Sequence, residues 1–364
     1  MCRFGGRGHV EKSVSLRRGL TEKYYQDSPP DFQAPKSKSN RMETLLAVDA
    51  GGTSTRAVVV NTDGRCIGYG RAGSGNPISS GTEHASREVS AAASAALAQA
   101  SLRNVTASTV LAMAGSRTYV STDWITSALG VIGVVGEVVL ESDLLATFCS
   151  GAWEHDGYAI VAGTGAAAIR VRDGRQDLSA DGLGWLLGDD GSGFWIGNRV
   201  VRAAAAQLDG RGPQTGLTAL ALAATGIPSD TSTEPGEDGR PEALRLLLDA
   251  VYGLRPIELA RFAPLVFAAG DDPVAGSIIT DARSALHTTL KAIDTPEVTG
   301  PAVGGGGVLG TLGLPLDGLE GVTEMRQVAD GTVGAAVLAL RDNGIDVDRA
   351  MFERVRDSLE ELRA

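Results

Sequence analysis

Two stretches of this chain share one pattern, and the repetition limits the fold more than any other feature. In the first, Leu45-Leu46-Ala47-Val48 runs into Asp49, turns through Gly51-Gly52-Thr53-Ser54-Thr55, and leaves as Arg56-Ala57-Val58-Val59-Val60. Short β-branched runs split by residues that tolerate positive φ read as strand, tight turn, strand. About a hundred residues later the pattern returns as Tyr158–Ala162, the turn Gly163-Thr164-Gly165, and Ala166–Arg172. Glycine turns leave backbone N–H groups uncovered, which suits a polyphosphate. Asp49, at the end of its strand, is placed to hold a hydrated Mg²⁺ beside that polyphosphate. The repetition predicts a duplicated fold with the ligand between the halves.

The segments between these turns are those of an α/β protein. A third strand, Cys66–Arg71, follows the Asn61-Thr62-Asp63-Gly64 turn, and helical spacing runs from Glu83 to Ala100. Strands are expected at Val110–Ala114 and Glu137–Leu140, with helices at Asp123–Leu129 and Leu144–Trp153. A meander followed by alternating strands and helices is an α/β layout. In the second half, a dense glycine loop from Asp181 leads into a helix ending near Leu208. Three helical stretches follow (Gly216–Thr225, Glu242–Tyr252 and Ile257–Ala269) and resemble an insertion. A long helix spans Asp272–Ala292, a strand closes at Ala302-Val303, and two helices, Gly331–Arg341 and Asp348–Leu362, end the chain.

At 364 residues there is room for two domains with separate cores. The net charge of −11 argues against nucleic acid, and it leaves a polyphosphate to be held by backbone N–H groups and Mg²⁺. The three cysteines are too scattered for a zinc site or a disulfide framework, and they fit a reducing cytoplasm. No window reaches the roughly 18 uninterrupted apolar residues of a membrane helix. Residues 1–42 are basic, contain Pro29-Pro30 and lack apolar periodicity, so they are expected to form a leader without a fold, with Met42 as the natural start.

The chain resembles the actin, Hsp70 and sugar-kinase ATPase superfamily, and within it the BadF/BadG/BcrA/BcrD-type ATPase family and its N-acetylglucosamine kinases. The likeness is carried by the two turns above, by Gly182-Leu183-Gly184-Trp185-Leu186-Leu187-Gly188-Asp189-Asp190-Gly191-Ser192-Gly193, and by Gly304-Gly305-Gly306-Gly307. It implies a two-lobed, duplicated actin-like (ribonuclease H-like) fold: lobes at 43–154 and 155–345, the second with the helical insertion, and a final helix at 346–364. It implies ATP and Mg²⁺ as cofactors, an amino sugar as phosphoryl acceptor, no nucleic-acid or membrane partner, and room for a homodimer.

The resemblance also implies roles for residues. Gly51, Gly52, Thr53, Thr164, Gly165, Gly304, Gly305, Gly306 and Ala263 would line ATP, and Asp49 would take the metal. Asn76, Asp143, Gly184 and Asp189 would hold the sugar, with Asp143 as catalytic base. By position alone, at the end of a strand and the start of a helix, Asp143 serves equally as a helix cap or as a base. Two departures bear on the sugar. A Ser-Asn pair that touches it in the compared kinase is Ala166-Ala167 here, and a tryptophan lining its site is Leu183. Glucosamine is the second candidate substrate. An activator of an iron–sulfur reductase is a third reading, and a sugar-responsive regulator a fourth.

Overall fold

The computed structural model describes residues 44–364, apart from 104–107, 117–120 and 238; the expected leader lies outside them. In chain order the first half contains β1 (Thr44–Ala50), β2 (Thr55–Asn61), β3 (Cys66–Ala72), α1 (Pro77–Ser80), α2 (Thr82–Gln99), β4 (Thr109–Met113), α3 (Asp123–Val131), β5 (Val138–Ser142) and α4 (Asp143–Gly151). The second half opens with β6 (Gly157–Ala162), β7 (Ala166–Arg172) and β8 (Arg175–Asp181). Then come α5 (Gly193–Leu208), α6 (Leu217–Ala224), α7 (Glu242–Tyr252), a 3-10 segment (Pro256–Phe262), α8 (Leu265–Ala268) and α9 (Pro273–Lys291). The chain finishes with β9 (Gly300–Gly305), α10 (Gly307–Leu312), β10 (Val322–Gln327), α11 (Thr332–Asp342) and α12 (Arg349–Arg363).

The two sheets are topological copies. One has the order β3-β2-β1-β4-β5 and the other β10-β9-β6-β7-β8, which reads backwards as β8-β7-β6-β9-β10. In each, three antiparallel strands form a meander, and the first of them pairs in parallel with the fourth. This is the duplication expected from the repeated turns, in the actin-like layout that the resemblance implies. Parallel strands buried on both faces read as unbroken apolar runs, and β4 is buried along its whole length.

Three cores stack across the molecule. The central one lies between the sheets and is built from α4, α11 and α12 with residues of β1, β2, β4, β6, β7 and β9. An outer core packs α2 and α3 on the far side of the first sheet. Another packs α5, the 3-10 segment, α8, α9 and α10 on the far side of the second. The insertion adds a small satellite core of α5, α6 and α7.

Where structure and expectation differ, the cause is local. The strands β8 and β10 were not anticipated: they are polar edge strands, Arg175–Asp181 and Val322–Gln327, with little of the alternation that marks a half-buried strand. The helix expected at Ile257–Ala269 is a 3-10 turn and then α8, interrupted at Pro264, which cannot donate a backbone hydrogen bond. The second lobe was expected over 155–345, and the packing of the last two helices bears on that boundary. Helix α11 packs on α4, β1 and β4, and α12 packs on β3, so the chain returns to the first sheet from Thr332.

The α4–α11 contact is close because both helices use small residues. A Cβ added at Gly334 would lie 1.8 Å from the Ala146 carbonyl oxygen. Gly334→Ala must therefore push the two helices apart, and an overpacking cost of about 1–3 kcal/mol is expected. Thermal denaturation should show the loss, whereas Gly276→Ala, on α9 with no neighbour near its Cβ, should not lower stability.

Candidate active site

The parallel strands place their carboxyl ends along one edge of each sheet, where α/β proteins bind ligands. In the first sheet, Ala50 is opposite Met113, and Met113 is opposite Ser142. The turn after β1, the loop after β4 and the start of α4 therefore share that edge. The β1–β2 turn closes with Gly51 N–H donating to the Ser54 carbonyl at 3.0 Å. Gly52 and Thr53 stand exposed on it, so their backbone is accessible to a phosphate.

Asp49 lies below this turn, buried. Its Oδ2 accepts the Gly331 N–H at 3.1 Å and lies 3.6 Å from Arg56 Nη1. Burial first, then the nearby Asp330 charge, pushes its carboxyl up to about 6, against the opposing pull of Arg56. The Asp143 charge adds a smaller push in the same upward direction. Asp143 is the first residue of α4, and its Oδ1 accepts the Leu144 N–H at 2.9 Å. Burial raises its pKa above the usual carboxylate value. A carboxyl poised nearer neutrality is suited to taking a proton.

In the second sheet the turn Gly163-Thr164-Gly165 is tied directly to α5. The Gly163 and Thr164 carbonyls accept the N–H groups of Gly193 and Phe194 at 2.7 and 3.1 Å, and Ser192 caps the helix through the Trp195 N–H. Thr164 is exposed at the tip. Asp189 is buried against this turn, its Oδ1 accepting the Ala166 N–H at 3.0 Å. Its pKa is raised, chiefly by burial and then by Asp181 and Asp190.

The glycine run after β9 divides. Gly304 and Gly305 are buried within the strand, and Gly306 is exposed at its end with φ +91°. A Cβ at Gly306 would sit 2.4 Å from the Ala162 carbonyl oxygen, so the run reaches the second turn only as glycine.

The remaining expected residues are placed less simply. Asn76 is buried, and both ends of its amide are engaged: Oδ1 accepts the Ile78 N–H at 2.8 Å as the cap of α1, and Nδ2 donates to the Ala114 carbonyl at 3.2 Å. Gly184, at φ +82°, forms a tight turn whose carbonyl accepts the Leu187 and Gly188 N–H groups. Ala263 lies in the core of the second half, buried at the end of the 3-10 segment.

Four participants escaped the sequence reading. Asp181, with positive φ, clasps the glycine loop Gly182–Gly193 by accepting the Asp189 and Asp190 N–H groups at 2.7 and 2.9 Å. An aspartate immediately before a glycine loop is a frequent turn clasp and was a usable signal. Arg56 is directly opposite Asp49 in the hairpin register, so cross-strand pairing pointed to it. Asp330 opens the small-residue stretch Asp330–Ala336, which resembles the family's final connecting helix, but that likeness assigned its carboxylate no role, and nothing local marked Arg363.

The donor set suits a nucleotide-borne Mg²⁺. The second oxygen of Asp49 carries no hydrogen bond or ion pair among the described residues. Mg²⁺ usually takes one or two protein carboxylates and completes its shell with phosphate oxygens and water. No cluster of three acidic, histidine or cysteine side chains able to hold a metal unaided occurs among the described residues. Among those residues, too, no single helix is long and apolar enough to cross a membrane.

The family pattern of the BadF/BadG/BcrA/BcrD ATPases matches residues 46–308. The chain belongs to this family. An N-acetyl-D-glucosamine kinase of Dictyostelium discoideum is 25% identical over 338 residues, covering 82% of this chain and 98% of that protein. An N-acetylmuramic acid/N-acetylglucosamine kinase of Clostridium acetobutylicum is 28% identical over 167 residues, 44% of this chain and half of that protein. The fold matches that of a proposed N-acetylglucosamine kinase from Chromobacterium violaceum with a TM-score of 0.65 at 24% identity, over 82% of this chain and 99% of that one.

Because folding raises the carboxyl pKa of Asp49 from 3.8 to about 6, the folded chain holds that proton more tightly than the unfolded chain. The stability this linkage contributes is full below pH 4 and is lost as pH rises through 6. Asp49→Asn should therefore stabilise the free protein at pH 8 by on the order of 1–3 kcal/mol, with no gain at pH 4. Denaturant unfolding at the two pH values checks this.

Proposed function

We propose that this chain is an ATP-dependent amino-sugar kinase that transfers the γ-phosphoryl group to a hydroxyl of N-acetylglucosamine, most simply the 6-hydroxyl. The observation that carries the reading is a short path of backbone. Val328 N–H donates to the Gly304 carbonyl at 2.9 Å, and Gly331 N–H donates to Asp49 at 3.1 Å. Three residues span at most about 10 Å, so the glycine run of the second sheet and the metal-side carboxylate of the first lie within reach of one nucleotide.

In this reading the turns at Gly51–Thr53 and Gly163–Gly165 hold the phosphates through backbone N–H groups, with the Thr164 hydroxyl beside them. Gly304–Gly306 leave room for the nucleoside, and the buried Ala263 supports that side from behind. Asp49 would hold Mg²⁺, which supplies charge neutralisation at the β- and γ-phosphate oxygens. Asn76, Gly184 and Asp189 frame the sugar. Asp143 accepts the proton as the sugar oxygen bonds to the γ-phosphorus and the bond to the β-phosphate oxygen breaks, leaving ADP. A carboxyl of raised pKa, sheltered from water, suits that transfer at neutral pH.

Glucosamine stands second for a specific reason. Ala166 and Ala167 offer no side-chain hydrogen bond where an acetamido group would look for one. The activator reading finds no support in the described cysteines. Cys66 and Cys149 are buried, with burial pushing their thiols up to about 12 and about 11, so neither is poised to ligate a cluster. These reduced, buried thiols also suit the cytoplasm.

ADP release measured over N-acetylglucosamine, glucosamine, N-acetylmuramic acid and glucose tests the reading, and absence of sugar-dependent turnover would end it. Asp143→Asn should lower kcat about 10²–10⁴-fold while sugar and ATP binding stay within a few-fold. Asp181→Ala, which frees the clasped loop, should raise the KM for sugar about tenfold and leave that for ATP within twofold. Steady-state kinetics in both substrates separate the two effects.

A further inference from the structure

The last helix reaches the metal side of the cleft through a line of alternating charges. Arg363, in the final turn of α12, donates from Nη2 to Asp330 Oδ1 at 2.9 Å, and its guanidinium lies 4.9 Å from the centre of the Tyr69 ring. Asp330 Oδ2 is 3.2 Å from Arg56 Nε, and Arg56 Nη1 is 3.6 Å from Asp49 Oδ2. The Asp330, Arg56 and Asp49 side chains are sheltered, at 10%, 22% and 11% exposure, and Arg363 reaches them from the exposed end of α12 with 26% of its side chain open. Exposed ion pairs contribute little, but removing one partner of a sheltered pair leaves a charge uncompensated.

Arg56 is shared between two carboxylates, and the nearer is Asp330. Burial alone would raise the Asp330 pKa, yet it lies below the usual range because Thr332 and Arg363 outweigh burial. Without Arg363, Asp330 keeps one cation and draws Arg56 toward itself. Asp49 then loses the guanidinium beside it and is held by the Gly331 N–H alone.

We propose that Arg363 is a positioning residue for phosphoryl transfer, acting through Asp330 and Arg56 to orient Asp49. The proposal rests on the kinase reading, in which Asp49 faces the Mg²⁺–nucleotide. A simple staple for α12 is the competing role, and the helix is already fastened elsewhere. Ser358 Oγ accepts the Cys66 N–H at 2.9 Å, Gln99 Nε2 donates to the Leu362 carbonyl at 3.3 Å, and Phe352, Val355 and Leu359 are buried in the central core.

The test uses the full chain with Arg363→Gln, Arg363→Lys, Asp330→Asn and the double variant Asp330→Asn/Arg363→Gln. Two readouts are taken: steady-state kinetics, and the gain in ADP affinity on adding Mg²⁺, measured by calorimetry. Arg363→Gln should lower kcat about tenfold with the KM for sugar unchanged, and should shrink the Mg²⁺-dependent gain in ADP affinity about threefold or more. Arg363→Lys should recover most of both, and the double variant should match Asp330→Asn, because one path carries both effects. An unchanged Mg²⁺ gain in Arg363→Gln overturns the proposal, as does a fall in melting temperature and kcat together that lysine does not rescue. If Arg363→Gln fails to fold, Asp330→Asn carries the test, and a Mg²⁺ gain in that variant equal to the wild type overturns the proposal equally. Wild-type protein that turns over no sugar removes the kinase reading, while the calorimetric comparison still decides the role of Arg363.

Discussion

The close contact of α4 with α11 between the two sheets is the constraint on which the rest of the structure depends. Backbone meets backbone at Gly334 and Ala146, so the central layer is thin and both sheets pack against it. Each of these helices begins at the carboxyl edge of the first sheet: α4 starts at Asp143, and α11 follows Asp330-Gly331, whose N–H reaches Asp49. Packing two small-residue helices thus fixes where Asp143 stands and where Asp49 is held. A sub-ångström shift between α4 and α11 would move both groups, because dense interiors transmit displacement.

A site rich in carboxylates and proposed to bind a polyanion needs an explanation. The chain carries a net charge of −11, and Asp49, Asp143 and Asp330 lie in one electrostatic neighbourhood. Two devices reconcile this. The phosphates are offered backbone N–H groups at glycine turns, whose attraction does not depend on net charge. Asp49 is buried and Asp143 and Asp330 are half-buried, and the first two have raised pKa values, so in the free protein part of the charge is suppressed or paired with Arg56 and Arg363. A divalent cation brought by the nucleotide would complete the balance in the proposed reaction.

The glycine turns were legible because their requirement is local: a positive φ or a close backbone approach admits only a small set of residues. The apolar runs of β1, β2, β4, β6 and β7 were legible for a similar reason, since burial on both faces removes polar residues from the strand. Strands β8 and β10 escaped because edge strands face water and carry no such signature. Asn76 matched a sugar-site pattern, yet its amide is committed to α1 and Ala114, a dual engagement that the sequence around it does not announce. Ala263 matched a nucleotide-side segment and lies in the core.

By itself, the sequence determined the duplicated α/β architecture, the two glycine turns and the acids beside them, because each follows from short-range rules of φ, burial and alternation. Only the tertiary structure decided that α11 and α12 return to the first sheet, that Asp181 clasps the Gly182–Gly193 loop, and that Asp49, Arg56, Asp330 and Arg363 form one line of charge. The physical reason is separation along the chain. Asp49 and Gly331 are 282 residues apart and still share a hydrogen bond, and no local pattern records a contact that exists only once two sheets have closed on the helices between them.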